Sequence, residues 1–278
     1  MGRPARKRPH NWRARALFLS FDKAEASFYP REMMWKAAAA PSLPEGQRIY
    51  AIGDIHGRLD LLDQILRMVR LDDEAQPPAL RRTLIFLGDY VDRGPESRGV
   101  IDRLISGIPA GFDGVYLKGN HEEMLLRSLT EPEMVPFWMA NGGAETLASY
   151  GILLADYGDD IAGSERLTQA MAEAIPQDHL NFLRGLQVFV AFGGYFFVHA
   201  GVKPGVPLEE QQEQDCLYIR EPFLTYRRSF GKMVVHGHTP VPQPEVRTNR
   251  IGIDTGGCFT GHLTALRLES ESHAFLAT

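Results

Sequence analysis

Thr83-Leu84-Ile85-Phe86-Leu87-Gly88-Asp89-Tyr90-Val91-Asp92-Arg93-Gly94 is the stretch that decides the fold. Five apolar or β-branched residues ended by glycine read as a buried strand running into a tight turn. That turn carries two carboxylates and a guanidinium, and a strand end so polar suggests a site. Taken alone, the segment reads equally well as a solvated loop in which Asp92 pairs with Arg93 and Asp89 caps the next helix. Two further stretches repeat the pattern. Arg48-Ile49-Tyr50-Ala51-Ile52 runs into Gly53-Asp54-Ile55-His56-Gly57, and Gly114-Val115-Tyr116-Leu117-Lys118 runs into Gly119-Asn120-His121-Glu122. Their leading polar residues, Asp54, Asp89 and Asn120, follow one another at intervals of 35 and 31 residues, which suits one βαβ unit per step and a parallel sheet. In such a sheet the carboxyl ends of the strands share one edge, where Asp54, His56, Asp89, Asn120 and His121 can converge.

In this order the three blocks resemble the signature of the calcineurin-like metallophosphoesterases. They are most similar to the phosphoprotein phosphatase branch and its bacterial and bacteriophage lambda members. The resemblance covers about residues 47–278 and implies an α/β fold of four layers, a sandwich of two mixed sheets flanked by helices. It also implies a dinuclear metal centre. By resemblance Asp89 bridges two divalent ions; Asp54 and His56 complete the protein ligands of the first, while Asn120, His199 and His238 complete those of the second. Hard oxygen donors with imidazole nitrogens and no thiolate suit manganese, iron or zinc, and manganese is the first expectation.

The chemistry explains the need for such a centre. A phosphate monoester dianion repels hydroxide, so an enzyme must make a nucleophile at neutral pH and neutralise charge. Two cations about 3.5–4 Å apart do both, and the resemblance implies in-line attack by a hydroxide that bridges them. Arginine grips phosphoryl oxygens through paired donors. Arg93 follows the second block, and Arg220 in Cys216-Leu217-Tyr218-Ile219-Arg220-Glu221-Pro222 resembles the family's second phosphate-binding arginine, with Tyr218 where a tryptophan is usual. For both arginines a structural salt bridge is the alternative to phosphate binding. His121 beside Asp92 would protonate the leaving oxygen, the aspartate orienting the ring and raising its basicity. His236 is read as standing behind the ligands, Asp254 as holding a turn, and Gly57 and Gly94 as allowing close backbone approach.

The expected activity is metal-dependent hydrolysis of phosphate monoesters, with a phosphoprotein or phosphopeptide (Ser/Thr, or Tyr) as the partner. A symmetrical diadenosine tetraphosphate hydrolase is the alternative. A non-enzymatic scaffold would usually have lost ligands or arginines, and here none is missing.

The 278 residues suffice for one large domain with an arm or insertion to spare. The net charge of −5 hides a basic start, since ten Lys or Arg face four Asp or Glu within residues 1–48. The body is therefore acidic and offers no obvious nucleic-acid surface. Residues 1–46 read as a basic, poorly ordered arm or a partner-binding tail, and 47–278 as the catalytic domain. Residues 131–185 hold helical but no strand patterns, a helical cap over the sheet edge, with Asn141-Gly142-Gly143 either part of the family pattern or a plain turn. Cys216 and Cys258 are too few for a disulfide framework and read as buried free thiols. No apolar run reaches the roughly 20 residues of a membrane span, and no secretory leader pattern is visible. The expectation is a cytoplasmic protein with no membrane contact and an oligomeric state left open.

Overall fold

The computed structural model describes residues 40–158 and 160–278. The basic arm therefore lies outside the described residues as far as residue 39. Strand β1 (Gln47–Ile52) leads through helix α1 (Leu59–Ala75) to β2 (Arg81–Phe86), and α2 (Ser97–Ser106) leads on to β3 (Asp113–Tyr116). Helices α3 (Asn120–Ser128), α4 (Val135–Trp138), α5 (Ala144–Ser149), α6 (Ile161–Ala174) and α7 (Gln177–Arg184) come next. The remaining elements are β4 (Phe189–Phe192), β5 (Tyr195–Val198), α8 (Glu213–Tyr218), β6 (Met233–His236), β7 (Glu245–Val246), β8 (Arg250–Gly252), α9 (Gly257–Thr260), β9 (Thr264–Glu269) and β10 (Ser272–Ala277).

The strands form two mixed sheets, ordered β10-β9-β1-β2-β3 and β4-β5-β6-β8-β7. Successive side chains of a strand face opposite ways, and here both faces are apolar, so alternate residues enter different cores. From β1 and β2, Tyr50, Ile52, Leu84 and Phe86 join the core under the helices. Their neighbours Ile49, Ala51 and Ile85 meet Tyr195, Phe197, Met233 and Val235 between the sheets. The other face of the second sheet, with Phe196, Val198 and Val234, packs on Cys216 and Phe223. Helices, sheet, sheet and an outer cover with α8 make the four layers.

The parallel register of β1 with β2 pairs Ile52 with Phe86, so the polar turns after them leave the sheet side by side. β5, β6 and β8 are also parallel, which sends His199 and His238 out of the second sheet at strand ends.

Two expectations, on the arm and on the thiols, need correction. The packed body begins before Gln47: Leu43 is buried between the sheets and its N–H donates to the Ser270 carbonyl at 2.9 Å. The segment 131–185 is helical, as expected, and it is built into the body, since Trp138, Leu147, Leu167, Met171 and Leu183 share one core with α1 and α2. Both thiols are free, yet only Cys216 is buried; Cys258 is half-exposed.

Candidate metal centre

The turns that carry the site are held in costly backbone conformations. His56, Asp89, Asp92, Arg93 and His238 all have positive φ, between 48° and 73°; among the described non-glycine residues only Ser270 shares that property. Each such residue costs on the order of 1–3 kcal/mol unless its surroundings impose it. Glu122 is one such surrounding. Its buried carboxylate accepts the N–H groups of Asp89, Tyr90 and Gly119 at 2.7–2.9 Å, and that of Val91 at 3.3 Å. Burial and Asp89 push this carboxyl up to about 7, against the pull of the N–H donors. Glycine is required where the turns touch: a Cβ on Gly119 would lie 2.1 Å from Asp89 Oδ1, and one on Gly94 2.1 Å from the His56 carbonyl.

Asp89 stands between two clusters. One of its oxygens is 3.4 Å from His56 Nε2 and 3.9 Å from His121 Nε2; the other is 3.4 Å from His199 Nε2. Asn120 Oδ1 lies 3.0 Å from His199 Nε2 and 2.9 Å from His238 Nδ1. The tautomers follow from the outer partners. His56 Nδ1–H donates to the Val91 carbonyl and His199 Nδ1–H to the Leu87 carbonyl, both at 2.9 Å. Each Nε2 is then a lone pair aimed at Asp89, and His199 Nε2 also faces the Asn120 oxygen, acceptor against acceptor. His238 Nε2 is buried with no partner. Around Asp89, neutral imidazole nitrogens and carboxylate and amide oxygens outnumber the donors that reach them, which are the Arg93 arms and the His238 Nδ1 contacts, and such an excess of acceptors is what a cation fits and a hydrogen-bonded core avoids.

Electrostatics sort the imidazoles into two kinds. Burial lowers His199 and pushes His56 and His238 down to about 3, keeping all three neutral. His121 goes the other way: burial opposes it, but Asp89 and the hydrogen-bonded Asp92 raise it above the ordinary value. Asp54 is pushed well above the carboxylate range by burial and by the nearby Asp254 and Asp89. Asp89 resists its own burial because the surrounding histidines hold it low. Crowded carboxylates among neutral imidazoles again suit positive charge.

His121 Nδ1 is 2.6 Å from Asp92 Oδ2. The same carboxylate accepts Trp138 Nε1–H at 2.8 Å and the Thr146 hydroxyl at 2.6 Å. Arg93 reaches across the clusters, with one Nη 2.6 Å from His56 Nε2 and the other 2.9 Å from His121 Nε2. The Arg93 arms sit on imidazole lone pairs, and Arg93 must leave His56 for a cation to be held there. Arg220 is exposed and lines, with Arg93, Asp89, Asn120 and His238, a cavity of about 200 Å³.

A family model described as calcineurin-like phosphoesterase matches residues 47–263. The chain belongs to the calcineurin-like phosphoesterase family. Like its relatives it is a phosphoesterase of the hydrolase class. The bis(5′-nucleosyl)-tetraphosphatase PrpE [asymmetrical] of Anoxybacillus flavithermus is 30% identical over 236 residues, covering 78% of this chain and 88% of that protein. Serine/threonine-protein phosphatase 1 of Salmonella typhimurium is 28% identical over 228 residues, 80% of this chain and 93% of that one. Among solved structures, one provisionally assigned as a diadenosine tetraphosphatase superposes with a TM-score of 0.58 at 22% identity, covering 83% of this phosphoesterase and 93% of its own chain. At that identity the match speaks for the fold alone.

The geometry brings Asp54, His56, Asp89, Asn120, His121, His199 and His238 to one edge. Asp54 is tied to that edge through the backbone N–H of His238, at 3.0 Å from its Oδ2. His236 faces away, toward Gly237 and Arg250, and Asp254 accepts the Gly256 N–H at 2.8 Å within its turn. Gly142 is more than a plain turn residue, since its carbonyl accepts the Arg93 N–H at 3.0 Å. Sequence reasoning missed Glu122, Trp138 and Thr146 as holders of the phosphoesterase turns. Glu122 was the one within reach, as a carboxylate at the third position of a helix that opens on Gly119.

Proposed function

We propose that the chain hydrolyses phosphate esters with the help of two divalent cations, the first held by Asp54, His56 and Asp89 and the second by Asp89, Asn120, His199 and His238. The lone pairs that converge on Asp89 from both sides carry this reading. Oxygen and imidazole donors suit manganese, iron or zinc, and manganese is the first to test. Bound there, the cations supply charge neutralisation and a nucleophile at neutral pH.

The chain's own residues account for the rest. Arg93, once off the Nε2 atoms of His56 and His121, and Arg220 present paired donors to phosphoryl oxygens at the cavity wall. As water's oxygen joins phosphorus and the bond to the leaving oxygen breaks, that oxygen needs a proton. His121 carries one on Nε2 when charged, and Asp92 holds the ring through Nδ1. A proton donor of this kind matters most for an alkoxide, so the dyad supports a phosphomonoester on a serine or threonine side chain, a phosphoprotein substrate.

A second reading is cleavage of a dinucleotide polyphosphate, favoured by the PrpE similarity over most of both chains. The symmetric cut expected from sequence would release ADP from diadenosine tetraphosphate, whereas the PrpE relatives are named for the asymmetric cut. The test is one panel with manganese: phosphoserine and phosphotyrosine peptides, diadenosine tetraphosphate with its products resolved, and small monoesters. Two bound ions with no turnover of any substrate would refute the proposal and leave a binding scaffold.

A further inference from the structure

Aromatic rings are normally turned inward, since each buries a large apolar surface. Among the described residues, the exposed aromatic side chains are Phe137, 52% exposed, and Phe259, 73% exposed. Both stand beside Arg93. Phe137, on α4, lines the same cavity as Arg93 and Arg220. Phe259, on α9 between the left-handed Gly256 and Gly261, has its ring centre 5.8 Å from the Arg93 guanidinium carbon. Neither ring takes part in the chemistry described above, and neither fills a core.

We infer that Phe137 and Phe259 form a stacking rim for nucleobases, so that the site takes nucleoside polyphosphates, with the phosphates on Arg93 and Arg220 and the bases against the rings. The inference rests on the second reading above and favours it over the phosphoprotein. Position decides against a phosphotyrosine ring. That ring is bonded directly to the phosphate oxygen and stays within the cavity lined by Met124, Phe137 and Tyr218, so it leaves Phe259, which is not among the lining residues, bare. A nucleobase is held away from its phosphate by a ribose and reaches outward. Two rings also match a substrate that carries a base at each end. Stacking on a flat ring tolerates any base, so adenine and guanine dinucleotides should differ little.

The test uses the full chain loaded with manganese, with Phe137→Ala and Phe259→Ala; both side chains are exposed, so the variants should fold. The readout is the ratio of KM for diadenosine tetraphosphate to KM for inorganic tripolyphosphate, which has the charge but no base. Each alanine should raise that ratio on the order of tenfold, and Phe→Trp should hold it near the parent value. Calorimetry of adenosine diphosphate binding to the cation-free protein should show the same order without turnover. A ratio unmoved by both alanines overturns the inference, as does an alanine effect confined to phosphotyrosine peptides. If nothing is hydrolysed with any metal, the proposed activity falls, and calorimetry still decides the rim.

Discussion

Thr146 lies 54 residues from Asp92, yet its hydroxyl donates to Asp92 Oδ1 at 2.6 Å and accepts the Asp92 N–H at 2.8 Å. Thr146→Val keeps the shape and removes both of these contacts, together with the one to Ser97 Oγ at 2.9 Å. The N–H retains Ser97 Oγ at 3.0 Å, so the shortfall falls on the carboxylate, which keeps His121 and Trp138 on Oδ2 alone, and on the buried Ser97 hydroxyl, which loses its contact with Thr146 Oγ1. A hydrogen bond to a buried charged group contributes about 1.5–3 kcal/mol, so urea unfolding should show a loss of about 2 kcal/mol with an unchanged m-value. A carboxylate free to turn about Oδ2 no longer fixes the His121 ring. General acids contribute about 10²–10⁴-fold, and partial misplacement should cost on the order of tenfold in kcat where the leaving oxygen is basic. Phosphoserine peptide or phenyl phosphate should therefore lose about tenfold, nitrophenyl phosphate less than about threefold, and Thr146→Ser should recover most of the loss. Equal losses on good and poor leaving groups would refute the link between Thr146 and the proton donor.

His121→Asn should lower turnover of a poor leaving group on the order of 10²-fold while largely sparing nitrophenyl phosphate; equal losses on both would remove the general-acid role. Asp89→Ala should reduce bound manganese from two ions per chain to fewer than one by metal analysis, since one carboxylate serves both clusters, and retention of two would exclude it as the bridge. Chelation should abolish hydrolysis, and manganese should restore it. Burial holds His56, His236 and His238 down to about 3, so the folded cation-free protein refuses protons that the unfolded chain takes near pH 6.5. Their contribution is complete above about pH 6.5 and is lost as pH falls toward 3; at pH 5 each should cost about 2 kcal/mol relative to pH 7.5. An unfolding midpoint that does not move between those pH values would contradict this.

The fold was legible where glycine and a polar residue end an apolar run. Gly53-Asp54, Gly88-Asp89 and Gly119-Asn120 mark the ends of three strands that pair in parallel, and the 35- and 31-residue intervals leave room for little but a crossover helix. Residues 131–185 were harder. Helical spacing shows that Trp138 and Leu147 are buried, but not against which element, because any apolar neighbour satisfies the pattern. That Trp138 also gives its N–H to Asp92, 46 residues away, has no local signal at all. Glu122 is illegible for a related reason: besides the Gly119 N–H, its carboxylate accepts three N–H groups of another turn.

The strained turns show why a local reading falls short at the centre itself. Aspartate, arginine and histidine at positive φ are disfavoured, and propensity would place glycine there. At about 1–3 kcal/mol each, five such residues cost as much as the whole net stability of an ordinary domain. Local preference therefore cannot produce these turns; Glu122, Thr146, Ser97 and the Gly142 carbonyl impose them through bonds to the N–H groups of Asp89, Tyr90, Asp92 and Arg93. Glycine would relieve the strain but would carry no carboxylate, imidazole or guanidinium to the edge. The side chains that perform the chemistry are thus the ones the backbone least favours, and the helical segment 131–185, through Gly142 and Thr146, is part of what holds them there.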